Sequence, residues 1–297
     1  MTGRSLLAFI RLGRPLFLGG GFILFALGAA VAAATGHAFD WHRYALGQGA
    51  VTAFQLMTHY ANDYFDLEAD RANLTPTKWS GGSRVLPAGE LPPRAALIAA
   101  VVLALLGGVL ALLLGGRALV LLAVIFALAW SYSAPPLRLC ARGLGELDTA
   151  VVVTVLVPVL AFALQAPDLH GGGLLALSIV PLALLQFAML VAIEFPDAIG
   201  DAATGKRTLV VRLGAAPAAL LYAATTALAF AWPVFAHGFG VPGRTALAMA
   251  LPAPIALWRI ARIRDHRDAS AFERLTFFAV FLLVVTSACV LASWVMR

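Results

Sequence analysis

Charge is what this sequence has least of. Of its 297 residues only 12% are Asp, Glu, Lys or Arg, while 61% are hydrophobic. A soluble domain is about a quarter charged and roughly half apolar. A larger core cannot absorb the deficit, because a globule still needs a polar surface, so the surplus apolar residues must face lipid. Cysteine is almost as scarce: Cys140 and Cys289 are too few and too far apart for a disulfide framework or a zinc site, and they read as two unpaired thiols. A signal peptide would end in a small-residue cleavage site after a short apolar core. Arg4, Arg11 and Arg14 instead precede an apolar run from Pro15 that lasts about 20 residues, enough to span a bilayer and stay there. The net charge of +6 sits in short loops between apolar stretches, which is a topology signal and argues against a nucleic-acid partner.

What is present reads as an all-α polytopic membrane protein, one integral-membrane domain over residues 1–297. Nine apolar stretches are suited to transmembrane helices: Pro15–Ala34, Tyr44–Ala61, Ala95–Leu114, Ala118–Tyr132, Ala150–Gln165, Leu174–Ile193, Ala215–Ala236, Thr245–Trp258 and Leu275–Val295. The fourth, fifth and eighth fall short of the roughly 20 residues of a span, and Pro252 and Pro254 predict a kink in the eighth. Of 21 Lys and Arg residues, 17 fall in the N-terminus and the loops after spans two, four, six and eight; only Arg43, Arg117, Arg244 and Arg297 fall opposite. By the positive-inside rule the N-terminus is cytoplasmic and the C-terminus lies on the far side of the cell's cytoplasmic (inner) membrane. Trp41 and Trp294, near span ends, read as interfacial anchors. Acids are still more one-sided, with 13 of 15 cytoplasmic. Acids contribute little to topology, so their placement points to chemistry.

Two clusters stand out. The second span ends in Asn62-Asp63-Tyr64-Phe65-Asp66-Leu67-Glu68-Ala69-Asp70-Arg71. If the helix continues, Asp63, Asp66 and Asp70 share one face at i, i+3 and i+7. Three like charges there repel, which raises their pKa values or breaks the helix, and a divalent cation removes the conflict. Carboxylate oxygens with room for water and phosphate suit Mg²⁺. Taken alone, the cluster is equally a solvated helix end whose acids pair with Arg71 and Lys78. The sixth span ends in Glu194-Phe195-Pro196-Asp197-Ala198-Ile199-Gly200-Asp201, with Asp197 and Asp201 at i, i+4. Glu194 lies one turn earlier, where Pro196 leaves it open as a ligand, a hydrogen-bond partner behind the ligands, or a cap. Two such clusters at one depth and on one side predict a binuclear clamp on a polyphosphate. Basic residues follow both, and Lys78, Arg84, Lys206 and Arg207 are candidates for the charge the metals leave unneutralised.

The motifs Asn62-Asp63-x-x-Asp66-x-x-x-Asp70 and Asp197-x-x-x-Asp201 resemble the two signatures of the UbiA superfamily of intramembrane prenyltransferases. Ser80-Gly81-Gly82-Ser83-Arg84, Tyr132-Ser133-Ala134-Pro135-Pro136-Leu137-Arg138 and Gly205-Lys206-Arg207-Thr208 fit the same pattern. The resemblance implies nine helices around a central cavity open to the cytoplasmic side, and Mg²⁺-dependent transfer of a prenyl group from a polyprenyl diphosphate to an acceptor. It also implies roles: Asn62, Asp63, Asp66, Asp70, Asp197 and Asp201 at the metal, with Glu194 as an open member; Asn62, Arg71, Lys78, Arg84, Arg138, Lys206 and Arg207 at the diphosphate. The Ser-Gly-Gly-Ser-Arg stretch and Gly143-Leu144-Gly145-Glu146 look most like the branch that prenylates 1,4-dihydroxy-2-naphthoate in menaquinone synthesis, although Glu194 and Pro196 depart from that branch's form. The aromatic acceptor is therefore expected to be that naphthoate, with 4-hydroxybenzoate, homogentisate, haem or a glycerol phosphate as alternatives.

In such a reaction metals and basic residues stabilise the departing diphosphate, and an apolar cavity shields the allylic cation from water. An aromatic face stabilises that cation, and Tyr132, in the loop that resembles the family's, is the candidate. The base that removes the acceptor's proton has no signature in the sequence. A cation-coupled transporter is the main rival, since intramembrane acids often mark ion pathways; its site is expected near the midplane on broken helices, whereas these acids crowd at helix ends.

Overall fold

Each apolar run becomes a helix, because a helix satisfies its backbone hydrogen bonds internally and lipid offers no partner for an unpaired one. The computed structural model describes residues 3–296; Met1, Thr2 and Arg297, the last counted above on the far side, lie outside them. Among the described residues there is no strand. The helices are α1 (Gly3–Leu12), α2 (Pro15–Ala34), α3 (Trp41–Phe65), α4 (Leu67–Ala72), α5 (Pro93–Leu114), α6 (Gly116–Ser131), α7 (Gly145–Val151) and α8 (Val157–Gln165). They continue with α9 (Gly172–Glu194), α10 (Ala198–Ala203), α11 (Leu209–Leu213), α12 (Ala215–Gly238), α13 (Gly243–Ala250), α14 (Ala253–Ala261) and α15 (Phe272–Val295).

Six helical segments among the described residues are long and apolar enough to cross a membrane: Pro15–Ala34, Pro93–Leu114, Gly145–Gln165, Gly172–Glu194, Ala215–Gly238 and Ala269–Val295; Gly116–Ser131 is a shorter apolar helix. Two of the three short stretches, the fifth and the eighth, depart from a plain helix. The fifth stretch starts five residues early, at Gly145, and joins α7 to α8 through a wider π turn, Val152–Leu156. Pro158 comes two residues after the turn; its missing N–H and its ring disfavour the regular ladder there. The eighth stretch is divided at Pro252 into α13 and α14.

Small residues set the close contacts, as expected where lipid supplies no hydrophobic drive between helices. A Cβ on Gly28 of α2 would lie 2.0 Å from the Pro158 carbonyl oxygen, so glycine is what lets α2 meet α8. Helix α3 packs on α5, α9 on α12, and α15 against both α2 and α9. The face of α5 bearing Val102, Leu105, Leu112 and Leu113 stays exposed, as a lipid-facing surface does. Trp41 is exposed, in keeping with an anchor, but Trp294 is buried and donates its indole N–H to Ser178 Oγ at 3.3 Å. Trp294 is a packing residue between α15 and α9.

Candidate functional site

The first cluster is built by a helix that falters without ending. Asn62 and Asp63 ride the last turn of α3, and Asp66 sits at the junction with α4. The ladder carries on across the break, Asp66 N to Asn62 O at 2.9 Å and Asp70 N to Asp66 O at 2.9 Å, which keeps the three acids to one side. The second cluster follows α9: Asp197 precedes α10, which bears Asp201, and Asp201 N donates to Asp197 O at 2.9 Å. Helix α10 packs against α4, so two segments more than a hundred residues apart form one site. Asp63, Asp66, Asp70 and Asp201 are all buried.

The segment between α4 and α5 stitches the clusters together. Asn73 Nδ2 donates to Asp197 Oδ1 at 2.7 Å, and Gly81 N donates to the other oxygen at 3.2 Å. Ser83 serves Asp63, donating from its backbone N–H at 3.2 Å and from its hydroxyl. Gly82 must be glycine: it has φ +72°, and a Cβ there would lie 2.0 Å from Asp70 Oδ2.

Cations stand between the acids. Lys206 Nζ lies 2.9 Å from Asp66 Oδ2 and 3.5 Å from Asp201 Oδ1, bridging the two clusters. Arg14, a non-glycine residue at φ +47°, turns inward between α1 and α2; it pairs with Asp63 and donates to Asn62 Oδ1 at 3.1 Å. Arg138 Nη2 approaches Asp66 Oδ1 at 3.8 Å, and Arg84 donates to the Asp70 carbonyl. Three expected basic residues are not brought to the carboxylates. Arg71 pairs with Glu68 at 2.8 Å, Lys78 Nζ lies 5.6 Å over the Trp79 ring, and Arg207 is exposed, with its backbone bonded to Ala141.

Compensation is incomplete. Among the described residues no three acids converge on one point. Yet Asp66 Oδ1, Asp70 Oδ2 and Asp201 Oδ2 are buried without a hydrogen-bond partner. Burial is the main force pushing the Asp70 carboxyl up to about 8; Arg14 opposes it while Asp63 and Asp66 add to it. Burial likewise pushes Asp201 up to about 7 against the pull of Lys206. The Lys206 ammonium is held well above its ordinary range: burial works against the charge, and Asp66 and Asp201 more than offset it. Hard oxygen donors left over from both clusters fit a hard divalent cation with open positions for phosphate oxygens. Glu194 sits beside the Glu146 carboxyl, where the charges of Lys206 and Asp201 still reach it. It is buried and hydrogen-bonded to the Glu146 carboxyl, whose Oε1 also accepts from Leu209 N at 2.9 Å.

A cavity runs from this site into the bundle. Arg14, Asn62, Trp79 and Tyr132 line its mouth; Leu24, Val51, Phe54, Ile125, Met189 and Leu283 line its depth. Tyr132 lies on the cavity wall, whereas Tyr60, Tyr64, Phe65, Phe187 and Phe195 do not. The sequence reading missed Arg14, Asn73 and Ser83. Arg14 carried no signal beyond a topology arginine, and Asn73 and Ser83 carried none outside the loop pattern.

Residues 22–293 match the model of the UbiA prenyltransferase family. A digeranylgeranylglyceryl phosphate synthase of Halobacterium salinarum is 32% identical over 280 residues, 92% of each chain. A 1,4-dihydroxy-2-naphthoate octaprenyltransferase of Mycobacterium tuberculosis is 32% identical over 200 residues, 67% of each chain. A solved UbiA homologue from Archaeoglobus fulgidus, bound to DMAPP and Mg²⁺, shares the fold with a TM-score of 0.67 at 16% identity, covering 95% of this chain and 98% of that one.

Proposed function

The chain belongs to the UbiA prenyltransferase family, and from that premise we propose that it transfers a prenyl group from a polyprenyl diphosphate, with Mg²⁺, to an aromatic acceptor. The observation that carries the reading is Lys206 set between Asp66 and Asp201 at 2.9 and 3.5 Å, with three buried carboxylate oxygens of the clusters left without a hydrogen-bond partner. A cluster arranged this way is poised for a cationic ligand that completes it. Asp66, Asp70 and Asp201 offer free oxygens to the metal, and Asp63, Asp197 and Asn62 complete the set once their present partners rearrange. Mg²⁺, when bound, neutralises charge on the diphosphate as it leaves.

The chain's own residues do the rest. Lys206, Arg14, Arg138 and Arg84 face the diphosphate and stabilise its growing charge, an electrostatic contribution that costs no reorganisation when the groups are already placed. Arg71, Lys78 and Arg207 are exposed and serve at most the approach of an anionic substrate. The apolar cavity holds the prenyl chain away from water, and the Tyr132 ring faces the allylic cation. Glu194, paired with Glu146, supports the second cluster from behind. We place the cavity mouth and N-terminus in the cytoplasm, with nine helices crossing the cytoplasmic membrane; 17 of 21 Lys and Arg residues support this orientation.

For the acceptor, Phe17, Trp79 and Tyr132 on the cavity wall suit a flat ring, and 1,4-dihydroxy-2-naphthoate, the menaquinone precursor, is the first choice. The similarity to a digeranylgeranylglyceryl phosphate synthase favours a second reading, a glyceryl ether phosphate. Purified protein given geranylgeranyl diphosphate, Mg²⁺ and a panel containing both acceptors, with products read by mass spectrometry, tests both. A prenylated naphthoate supports the first reading, a prenylated glyceryl phosphate replaces it with the second, and no Mg²⁺-dependent diphosphate release refutes prenyl transfer.

A further inference from the structure

Prenyl transfer leaves one proton to be removed, from the acceptor's ring carbon or hydroxyl, and none of the residues above is free to take it. The carboxylates of the two clusters are occupied by cations, by hydrogen-bond donors or by the metal they are arranged to hold. Four titratable groups line the cavity: Arg14, His59, Tyr132 and Asp148. Arg14 is a guanidinium already paired with Asp63, and Tyr132 is a phenol, a weak acid with no lone pair basic enough for the task. His59 has Nδ1 against the Gly13 carbonyl at 2.7 Å, which fixes its proton there and leaves only Nε2.

Asp148 is different in kind. It lies in the first turn of α7, is only 7% exposed, and its Oδ1 is fully buried with no hydrogen-bond partner. Glu146, two residues earlier on the same short helix, is tied to Leu209 N and Glu194. Thr149 beside it spends its hydroxyl on the Gly145 carbonyl. Helix α7 is seated firmly. A Cβ on Gly145 would meet the Tyr132 ring at 3.2 Å and the Cys140 Cα at 2.9 Å, so the start of α7 packs against the aromatic wall of the cavity. A carboxyl placed in an apolar wall with an oxygen unpaired destabilises the fold, and such groups call for a functional account.

We infer that Asp148 is the catalytic base that takes the acceptor's proton. The inference rests on the prenyl-transfer reading. The allylic C–O bond breaks and its electron pair leaves with the diphosphate. The acceptor's carbon or oxygen supplies the pair for the new bond, and the proton it loses passes to Asp148 Oδ1. Asp148 returns that proton to water when the product departs. The same carboxylate serves a ring carbon or a hydroxyl, so the assignment holds for either acceptor. Around it, the cavity-lining residues of α9 and α15 carry no titratable group; the charged or titratable neighbours are Arg14 on the α1–α2 link, His59 on α3, Tyr132 after α6, and the Glu146–Glu194 pair behind α7.

The test compares wild type, D148N, D148E and H59Q in nanodiscs with Mg²⁺, geranylgeranyl diphosphate and whichever acceptor the panel above identifies, across pH 5 to 9. Product formation and acceptor-free diphosphate release are measured separately. D148N is expected to lower product kcat by about 10²–10⁴-fold, the usual worth of general base catalysis. It should also abolish the acid limb of the pH profile while leaving acceptor-free diphosphate release and donor KM within about threefold of wild type. D148E should recover much of the loss, and H59Q should keep the limb. D148N turning over within threefold of wild type would overturn the assignment, as would H59Q, rather than D148N, losing the acid limb. Joint loss of product and donor binding in D148N without rescue by D148E would overturn it too, because that marks a structural role. Absence of diphosphate release from wild type is a separate result, and it refutes prenyl transfer itself.

Discussion

Lys206→Met probes the centre of the site. The ammonium lies 2.9 Å from Asp66 Oδ2 and 3.5 Å from Asp201 Oδ1, its side chain is 15% exposed, and the two acids are 2% and 4% exposed. Removing one partner from a buried ion pair leaves an uncompensated charge and costs about 3–5 kcal/mol. Here the lost cation serves two carboxylates, but partial access of water at the cavity mouth offsets the second, so the lower end of that range applies. At about 2–4 °C per kcal/mol for a chain somewhat shorter than this one, metal-free K206M should melt roughly 6–12 °C below wild type in nanodiscs. Saturating Mg²⁺ supplies a cation to the same carboxylates, so the gap should close to less than half. The metal-induced gain in the variant then exceeds that in wild type. Activity stays low even with Mg²⁺, by about 10²–10³-fold in kcat, because a donor to the departing diphosphate is gone. An equal drop in melting temperature with and without Mg²⁺ would refute the reasoning, since it would mean that the metal does not bind where Lys206 compensates.

Three further outcomes are expected. Gly82→Ala forces a Cβ to within 2.0 Å of Asp70 Oδ2 and strains a φ of +72°; the displaced carboxylate should lower kcat/KM by about 10²-fold and raise the Mg²⁺ concentration for half-maximal activity, and an unchanged Mg²⁺ titration would count against Asp70 as a ligand. Asn73→Ala frees Asp197 from its 2.7 Å hydrogen bond, which is worth about 1.5–3 kcal/mol to a charged acceptor; kcat should fall while donor KM changes little, and wild-type kinetics would contradict the loop's role in holding the second cluster. In the metal-free protein Asp70 is raised to about 8 and Asp201 to about 7. Groups raised in the folded state stabilise it below their ordinary range near 4, and that stability is lost as pH rises through the folded values. Melting temperature without metal should therefore decline from about pH 5 to 9, and the gain from Mg²⁺ should grow over the same window; a gain independent of pH would contradict the burial of these acids.

The apolar runs and the two aspartate motifs were legible in the sequence because each is local. A span is written in consecutive residues, and Asp63, Asp66 and Asp70 announce themselves by helical spacing. What joins them was not legible. Lys206 was one of several basic residues after the second motif, and nothing in the sequence distinguished it from Arg207; only the packing of α10 on α4 turns the first inward and leaves the second exposed. Arg14 looked like any arginine placed by the positive-inside rule, yet its left-handed backbone carries it to Asp63. Glu194 had the right spacing for a ligand, and its hydrogen bond to Glu146, 48 residues away in sequence, was not legible there. The helix limits moved for backbone reasons: Pro158 admits a π turn, and Pro252 divides α13 from α14. Asp148 is the clearest case, because a lone acid at a span's edge has no pattern, and only the cavity wall and an unpaired oxygen single it out.

The central claim is that both clusters together hold the metal that lets a prenyl diphosphate ionise. The most direct measurement is diphosphate release by purified protein in nanodiscs with geranylgeranyl diphosphate and the acceptor, for wild type, D66A and D201A, each with Mg²⁺ and with excess EDTA. The account predicts release from wild type only with Mg²⁺, and losses of about 10²-fold or more in either variant. Release that survives EDTA, or a D201A variant that works as well as wild type, would contradict it.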